Sequence, residues 1–558
     1  MKLRKFLLIN FLLFTLLANA QDAPHGWHLL DYKTDAFYGI SLNKAYQFLQ
    51  DKKIKSTPVI VGVLDSGIDT LHEDLKNILW HNPKEIPNNG IDDDGNGYID
   101  DVYGWNFLGN KTGENLKKVA EEKTRVYYKF KEKFGGKKIN TDSLSTNELQ
   151  EYTLWKKAAT EMNISTEEET EVAFTEMLNK ALKRYNNVIK QEMGVEEYTA
   201  QQLEKFETKT TEGKQAKYNY LTTIKLLEID LDEKNTAILA QLDEYVNQKK
   251  SAMAANENPP PNYRVDVIKD DYNNINDKFY GNSDVKATFP SHGTHVSGII
   301  AAQRNNKIGV DGVADNAKIM MLRVVPDGDE YDKDITLAIF YAVNNGAKVI
   351  NMSFGKGFSP EKNWIDSAVK DAAVKDVLII HAAGNDSKNV DTLPSFPTAY
   401  FLKDNLKAPN FITVGASTDP KISRGDVIAN FSNFGKQSVD VFAPGVKIYS
   451  TLPNESNYGN QQGTSMAAPV VTGIAALLRS YFPSLTAVQT KEIIEKTVIK
   501  PILDEVVTVG IGKKSKEEKL TLKDACTTGG IVNAANAIEL AFKVDAENKR
   551  KMLKQKSR

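Results

Sequence analysis

The feature that most restricts how this chain can fold is the apolar, largely β-branched run Pro58-Val-Ile-Val-Gly-Val-Leu64, bounded by proline on one side and Asp65-Ser-Gly67 on the other. A strand with one face in water alternates apolar and polar residues, whereas an unbroken apolar run of this length marks a strand buried on both faces. Ala317–Val325, Ala347–Asn351, Val377–His381 and Phe411–Gly415 read as further short buried strands. Ile335–Asn345, Trp364–Lys375 and Met466–Tyr481 read as helices between or after them. Alternation of this kind predicts an α/β fold, a parallel sheet covered by helices.

One region breaks the alternation. No proline occurs between Pro87 and Pro259, and Lys, Glu, Thr and Asn abound there. Phe174, Met177, Leu178, Ala181, Leu182, Tyr185, Val188 and Ile189 recur at the spacing of one helix face. Ile224, Leu227, Leu231, Ile238, Leu242 and Tyr245 make a second stripe, interrupted at Asn235. Asn258-Pro-Pro-Pro-Asn262 closes the region as a stiff linker. Residues 111–258 are therefore expected to be an inserted α-helical hairpin or bundle, packed on itself, with a specific ligand groove as the other use of its stripes and partner or self-contact as a further use of the insertion. It separates two parts of one body, 21–110 and 259–545, and a basic tail, 546–558, follows.

The first twenty residues read as an export signal. Lys2, Arg4 and Lys5 precede the apolar stretch Phe6–Leu17 and the small-residue site Ala18-Asn19-Ala20. The stretch is shorter than the ~20 residues a membrane span needs, so no stable membrane span is expected and the exported chain starts near Gln21, outside the cell or in a periplasm. Its single cysteine, Cys526, permits no internal disulfide, so stability must come from packing or bound ions. The formal net charge of −2 over 558 residues gives no electrostatic case for a nucleic-acid partner.

Three separated segments carry chemistry. Asp65 ends the first strand, His292 lies in Ser291-His-Gly-Thr-His-Val-Ser-Gly298, and Ser465 lies in Gly463-Thr-Ser-Met-Ala-Ala-Pro469, which opens a helix. A serine hydroxyl is a poor nucleophile near neutral pH. It needs a neutral imidazole to take its proton, and the imidazole needs a carboxylate to hold its tautomer and stabilise its cation. A helix N-terminus at Ser465 adds unpaired amides and a positive dipole end near a developing oxyanion.

Together these blocks resemble the signatures of the subtilisin-like serine peptidases, across roughly Trp27–Leu108 and Phe289–Ala541. The resemblance implies a three-layer sandwich with a mostly parallel sheet and protein or peptide substrates. It also implies an Asp65–His292–Ser465 triad acting through an acyl-enzyme, with His295 as a packing residue. His381-Ala-Ala-Gly-Asn385 is similar to the block whose Asn donates to the oxyanion, and Val349-Ile-Asn-Met-Ser-Phe-Gly355 to the strand lining the specificity pocket. Ser353, Phe354, Gly355, Ala383 and Gly384 are thereby implied to border substrate, and as uncharged residues they suggest broad or apolar specificity. A catalytically silent binding protein on the same scaffold, working through the insertion, is the alternative. A lipase with this triad would show Gly-x-Ser-x-Gly and the order Ser, Asp, His, and neither is present.

The segment Asp92-Asp-Asp-Gly-Asn-Gly-Tyr-Ile-Asp100-Asp101 offers oxygen donors at the spacing of the front half of a calcium loop: Asp92, Asp94, Asn96, the Tyr98 carbonyl and Asp100. Tyr103 falls where a bidentate Glu belongs, so Asp101 or another carboxylate must close the shell; a polar turn is the other reading. The resemblance also implies Asp74 and Asn306 as side-chain ligands of a second structural calcium, with Lys307 as a departure from that pattern. Two further departures stand out. The separation of 227 residues between Asp65 and His292 is long, and the stretch from Gln21 to Pro58 is too short for a folding propeptide. The insertion is expected either to shield the cleft until cleaved or to recruit substrate or a partner.

Overall fold

The computed structural model describes residues 23–556 apart from 163–165, 228, 230, 232, 288, 424, 455–456, 502–506 and 510–517. The expected export signal lies outside these residues. Seven strands form one wholly parallel sheet: β1 (Val59–Asp65), β2 (Gly104–Asn106), β3 (Ala317–Arg323), β4 (Val349–Met352), β5 (Leu378–Ala382), β6 (Phe411–Ser417) and β7 (Val441–Pro444). Their spatial order is β2-β3-β1-β4-β5-β6-β7. The apolar runs have the cause inferred for them. Val59, Val61 and Val63 of β1 enter one core with Ile319 and Met321 of β3, while Leu64, Met320 and Leu322 enter the core on the opposite face.

Helices Ser291–Ala301 and Thr464–Tyr481 fill the first core, and Asp332–Asn344 and Lys362–Val374 fill the second. This is the α/β sandwich expected, with strand and helix ends shifted by a few residues. Among the described residues no helix is long and apolar enough to cross a membrane.

The inserted region is a bundle rather than a single hairpin. Its main helices are Glu122–Phe134, Thr146–Glu161, Thr166–Met193, Thr211–Leu226 and Asn235–Glu257. Leu182, Ile189, Tyr198, Leu203, Tyr220, Ile224 and Ile238 form a separate core. Phe174 and Met177, expected on the packed face, are about half exposed. The break at Asn235 is a helix start. Its buried side chain accepts from the Tyr198 amide at 2.9 Å and donates to Asn186 at 2.8 Å. The stretch before the first helix belongs to the sheet rather than the bundle, since Leu116 and Val119 pack in the second core. The final helix, Ala534–Lys556, runs through the start of the basic tail.

The N-terminal arm is part of the first core. Trp27 is fully buried and its Nε1 donates to the Val446 carbonyl at 3.0 Å. Truncating it removes a large apolar surface and orphans that carbonyl, so Trp27→Ala is expected to cost about 3–5 kcal/mol, read from the urea midpoint of unfolding.

Candidate active site

Parallel strands all end on the same side of a sheet, and loops from those ends meet there. Asp65 is the last residue of β1 and is fully buried. Its Oδ1 accepts from His292 Nδ1 at 2.7 Å and from the Ser66 amide at 2.7 Å. His292 is the second residue of helix Ser291–Ala301. Burial alone would lower its pKa, but the charge and hydrogen bond of Asp65, with a contribution from Glu330, leave it above the ordinary 6.5. Gly293 is required by packing, since a Cβ there would sit 2.2 Å from the Gly67 carbonyl oxygen. The two segments are further tied by the Asp69 amide, which donates to Thr294 Oγ1 at 2.9 Å.

Ser465 is the second residue of helix Thr464–Tyr481. Pro469, four residues on, has no N–H, so the Ser465 carbonyl loses its helical partner. Ser353 Oγ supplies the missing donor at 2.9 Å, while Ser465 Oγ donates to the Ser353 carbonyl at 3.1 Å. Ser353 is held in turn by Asn351 Nδ2 at 2.9 Å. Asn385 is exposed, and its Oδ1 accepts from the Thr464 amide at 2.8 Å and from Thr464 Oγ1 at 3.0 Å. With the oxygen so engaged, the amide is oriented and its N–H groups face the other way. A Cβ on Gly463, at φ 147°, would lie 3.3 Å from Asn385 Nδ2. A hydroxyl, a carboxylate-backed imidazole and an oriented amide donor thus emerge from the ends of three chain segments. Chemically, such a set can move a proton from the hydroxyl and stabilise a neighbouring oxyanion.

The expected border residues divide. Phe354 and Ala383 are buried, so their side chains belong to the packed interior. The Phe354 carbonyl accepts from His381 Nε2 at 2.7 Å. Gly355 packs against Ser395, where a Cβ would come within 2.6 Å of its hydroxyl. Gly384, at φ 103°, leaves room for Asn433. His295 is buried against the Gly459 carbonyl, as a packing residue would be. Two segments flank Asp65: Val324–Glu330, leaving β3, and Ser353–Lys356, leaving β4. The Asp65 carbonyl accepts from the Val324 and Val325 amides at 3.0 and 3.2 Å. Glu330, near enough to raise the His292 pKa, is buried and its Oε2 has no hydrogen-bond partner among the described residues. Nothing in the sequence distinguishes it from an ordinary surface acid.

The acidic loop differs from expectation in two ligands. Carboxylate oxygens of Glu85, Asp92 and Asp94 lie within 4.8 Å of one another. Glu85 was not expected; it precedes the loop and its Oε2 is buried without a hydrogen-bond partner among the described residues. Asp100 leaves the cluster. At φ 54° it turns its carboxylate to the Asn89 and Gly90 amides at 3.1 and 2.9 Å. Asp101, the other candidate, is buried and accepts from Asn82, Asn96 and Tyr341. Asn96 is occupied within the loop, its Oδ1 accepting from the Tyr98 amide at 2.7 Å. The Tyr98 ring packs with Trp105 and Tyr341, leaving only its backbone at the loop. Burial and the charge of Asp101 raise the Glu85 pKa. Clustered carboxylates with an unsatisfied buried oxygen suit a hard divalent cation, so the residues present fit calcium.

At the second site Asp74 and Asn306 are brought together. Asn306 Nδ2 donates to Asp74 Oδ1, and Asp74 Oδ2 accepts from the Val310 amide and Tyr458 OH, each at 3.0 Å.

Residues 56–529 match the model of the subtilase family of peptidases, and the chain belongs to that family. It is 37% identical over 211 residues to a thermophilic serine proteinase of Bacillus sp. (strain AK1), covering 38% of this chain and 47% of that protein. It is 39% identical over 211 residues to subtilisin E of Bacillus subtilis (strain 168), covering 37% and 50%. An extracellular basic protease of Dichelobacter nodosus is 38% identical over 229 residues, covering 37% and 35%. The chain thus spans about half the length, or less, of these curated relatives. A solved protease from Pseudoalteromonas arctica PAMC 21717 is 19% identical, with a TM-score of 0.43, over 94% of this chain.

Three histidines are buried as neutral groups. Burial lowers His28 and His381 to about 4, and burial lowers His295 to about 3. Above pH 6.5 they bear no charge in either state and cost nothing. As pH falls below 6.5 the unfolded chain takes up protons that the folded chain refuses, so stability is lost down to the folded values, at about 1.4 kcal/mol per histidine per pH unit. His292, raised by Asp65, works in the opposite direction. Asp329, Asp332 and Glu330, raised by burial, also work in the opposite direction, so the check is made on the rings themselves: the His28, His295 and His381 NMR signals are expected to stay those of neutral imidazole from pH 7 to pH 5, and protonation of any of them in that range would show that it is not held neutral.

Proposed function

We propose that this chain is an exported serine endopeptidase that cleaves peptide bonds through an acyl-enzyme. In this reading Ser465 Oγ gives its proton to His292 Nε2 as it attacks the scissile carbonyl, exchanging its present bond to the Ser353 carbonyl for one to the imidazole. Asp65 holds the Nδ1–H tautomer and stabilises the imidazolium, which then protonates the leaving amine. The Asn385 amide and the N-terminal amides of the serine helix receive the oxyanion. Water repeats the sequence on the acyl-enzyme. The observation that carries the reading is the 2.7 Å Asp65–His292 contact together with the tie of Asn385 to the serine helix through Thr464. Family membership supports it, and the likeness to the extracellular basic protease of Dichelobacter nodosus supports export.

A fluorophosphonate probe is expected to label the unaltered chain and not Ser465→Ala. Asn385→Ala is expected to keep the label but lower kcat by roughly 10²–10³ on a peptide substrate. Failure of the unaltered chain to label would leave a silent scaffold as the function.

Calcium is proposed as a structural ion held by Glu85, Asp92 and Asp94, with Asp74 and Asn306 as side-chain ligands of a second. Bound calcium would supply positive charge to carboxylates that otherwise repel, and binding only to the folded state adds about 2.7 kcal/mol at a hundredfold excess over Kd. Chelation is expected to lower the melting temperature of the unaltered chain and to have a smaller effect on Glu85→Gln. Equal melting with and without chelator would exclude the ion.

A further inference from the structure

The inserted bundle touches the peptidase body at a defined place. Lys117 and Val119, just ahead of its first helix, pair with Asp327: the Val119 amide donates to the Asp327 carbonyl at 2.8 Å, and the Asp327 amide to the Lys117 carbonyl at 3.0 Å. The helix Glu122–Phe134 has no side-chain cap of its own. Asp329 takes that role from across the interface, its Oδ2 accepting from the Glu122 amide at 2.7 Å. Arg125 of the same helix donates to the carbonyls of Asp329 and Glu330 at 2.9 and 3.0 Å. Asp327, Asp329 and Glu330 all lie on the segment that leaves β3 and passes beside Asp65 and His292.

The opposite wall is joined at the same point. Lys356 follows Gly355 on the segment leaving β4 and its side chain is fully buried. Lys356 Nζ donates to the Glu330 carbonyl at 2.6 Å and to Glu122 Oε2 at 2.7 Å, and forms an ion pair with Asp332 Oδ1 at 2.7 Å. One cation therefore spans both walls of the cleft and the insertion. Farther along the second wall, Phe358 packs with Val126 and Ala158 of the insertion, and Lys157 Nζ donates to the Gly357 carbonyl at 2.7 Å.

We propose that the first helix of the insertion is a brace that fixes the separation of the two substrate-binding walls, with Glu122 and Arg125 as positioning residues for extended peptides. The inference rests on the peptidase reading and adds a role for the insertion. A brace acts through the walls, so its loss is felt by a substrate long enough to lie between them and not by one that reaches only the nucleophile. A shield over the cleft would behave in the opposite way, since loosening it would raise activity.

The test uses Glu122→Gln and Arg125→Gln in the full chain, with a four-residue peptide anilide and a single-residue ester as substrates. Each variant is expected to lower kcat/KM on the peptide about ten- to a hundredfold, the scale of a wall displaced by an ångström or less, with the ester within twofold. Thermal melting establishes that each variant is folded. Equal losses on both substrates, no loss on either, or a gain on the peptide would overturn the brace, as would failure of both variants to fold, which would make the contacts structural only. If the unaltered chain hydrolyses neither substrate, the peptidase reading falls and the brace with it.

Discussion

Asp65 can hold His292 only because a buried carboxylate stands at the C-terminal end of the central strand, and everything else in the site is arranged around that point. The strand order puts β3 on one side of β1 and β4 on the other, so the direction in which strands are added reverses here and the loops diverge, leaving a crevice above Asp65. The parallel sheet then brings the β3 and β4 exits to the crevice as walls and the β5 exit as the segment bearing Asn385. The two helices of the first core start at this same edge, which is why His292 and Ser465 each occupy the second position of a helix. A hydroxyl and an imidazole on helix starts are held by packed scaffold rather than by mobile loops.

Burial of charge around the crevice follows two patterns. Arg264 and Lys333 meet Asp270 and Asp334 in a balanced buried set that ties helix Tyr263–Val267 to helix Asp332–Asn344. Beside the cleft, Arg125 and Lys356 face four acids: Glu122, Asp329, Glu330 and Asp332. Two cations cannot neutralise the three buried carboxylates Glu122, Glu330 and Asp332 together with the half-buried Asp329. Glu122, held by both cations, overcomes its burial and lies near 2, whereas burial pushes Asp329 and Asp332 up and Glu330 to about 8. The acid excess is thus carried partly as protons near neutral pH.

What the sequence made legible follows from how local each demand is. The sheet was readable because each buried strand must be apolar on both faces over consecutive residues. The Asp65, His292 and Ser465 blocks were readable because the glycines that let backbones approach, such as Gly293 and Gly463, lie beside the reacting residue. The acidic loop shows the limit. Its spacing pointed to Asp92 and Asp94, which lie together, and to Asp100, which accepts from two local amides, while Glu85 enters from outside the repeat with no pattern to mark it. Lys356 and Glu122, 234 residues apart, are individually indistinguishable from solvent-exposed charges. Only the fold turns them into a buried pair.

The same distinction separates the two parts of the insertion. Leu182, Ile189, Tyr220 and Ile224 close a core that owes nothing to the peptidase body, and apolar stripes of that kind report only that helices pack. The contact with the cleft is made by charged and backbone groups of the first helix and the segment before it, where the sequence looks like an ordinary solvated face. Each bond there has one particular partner: a carboxylate for a helix amide, carbonyls for a guanidinium, a carbonyl and two carboxylates around one ammonium. Apolar packing tolerates small displacements, but a buried ammonium held among such partners does not, because any shift leaves a buried charge or carbonyl unpaired. A polar contact of this kind is therefore suited to holding two walls at a set distance.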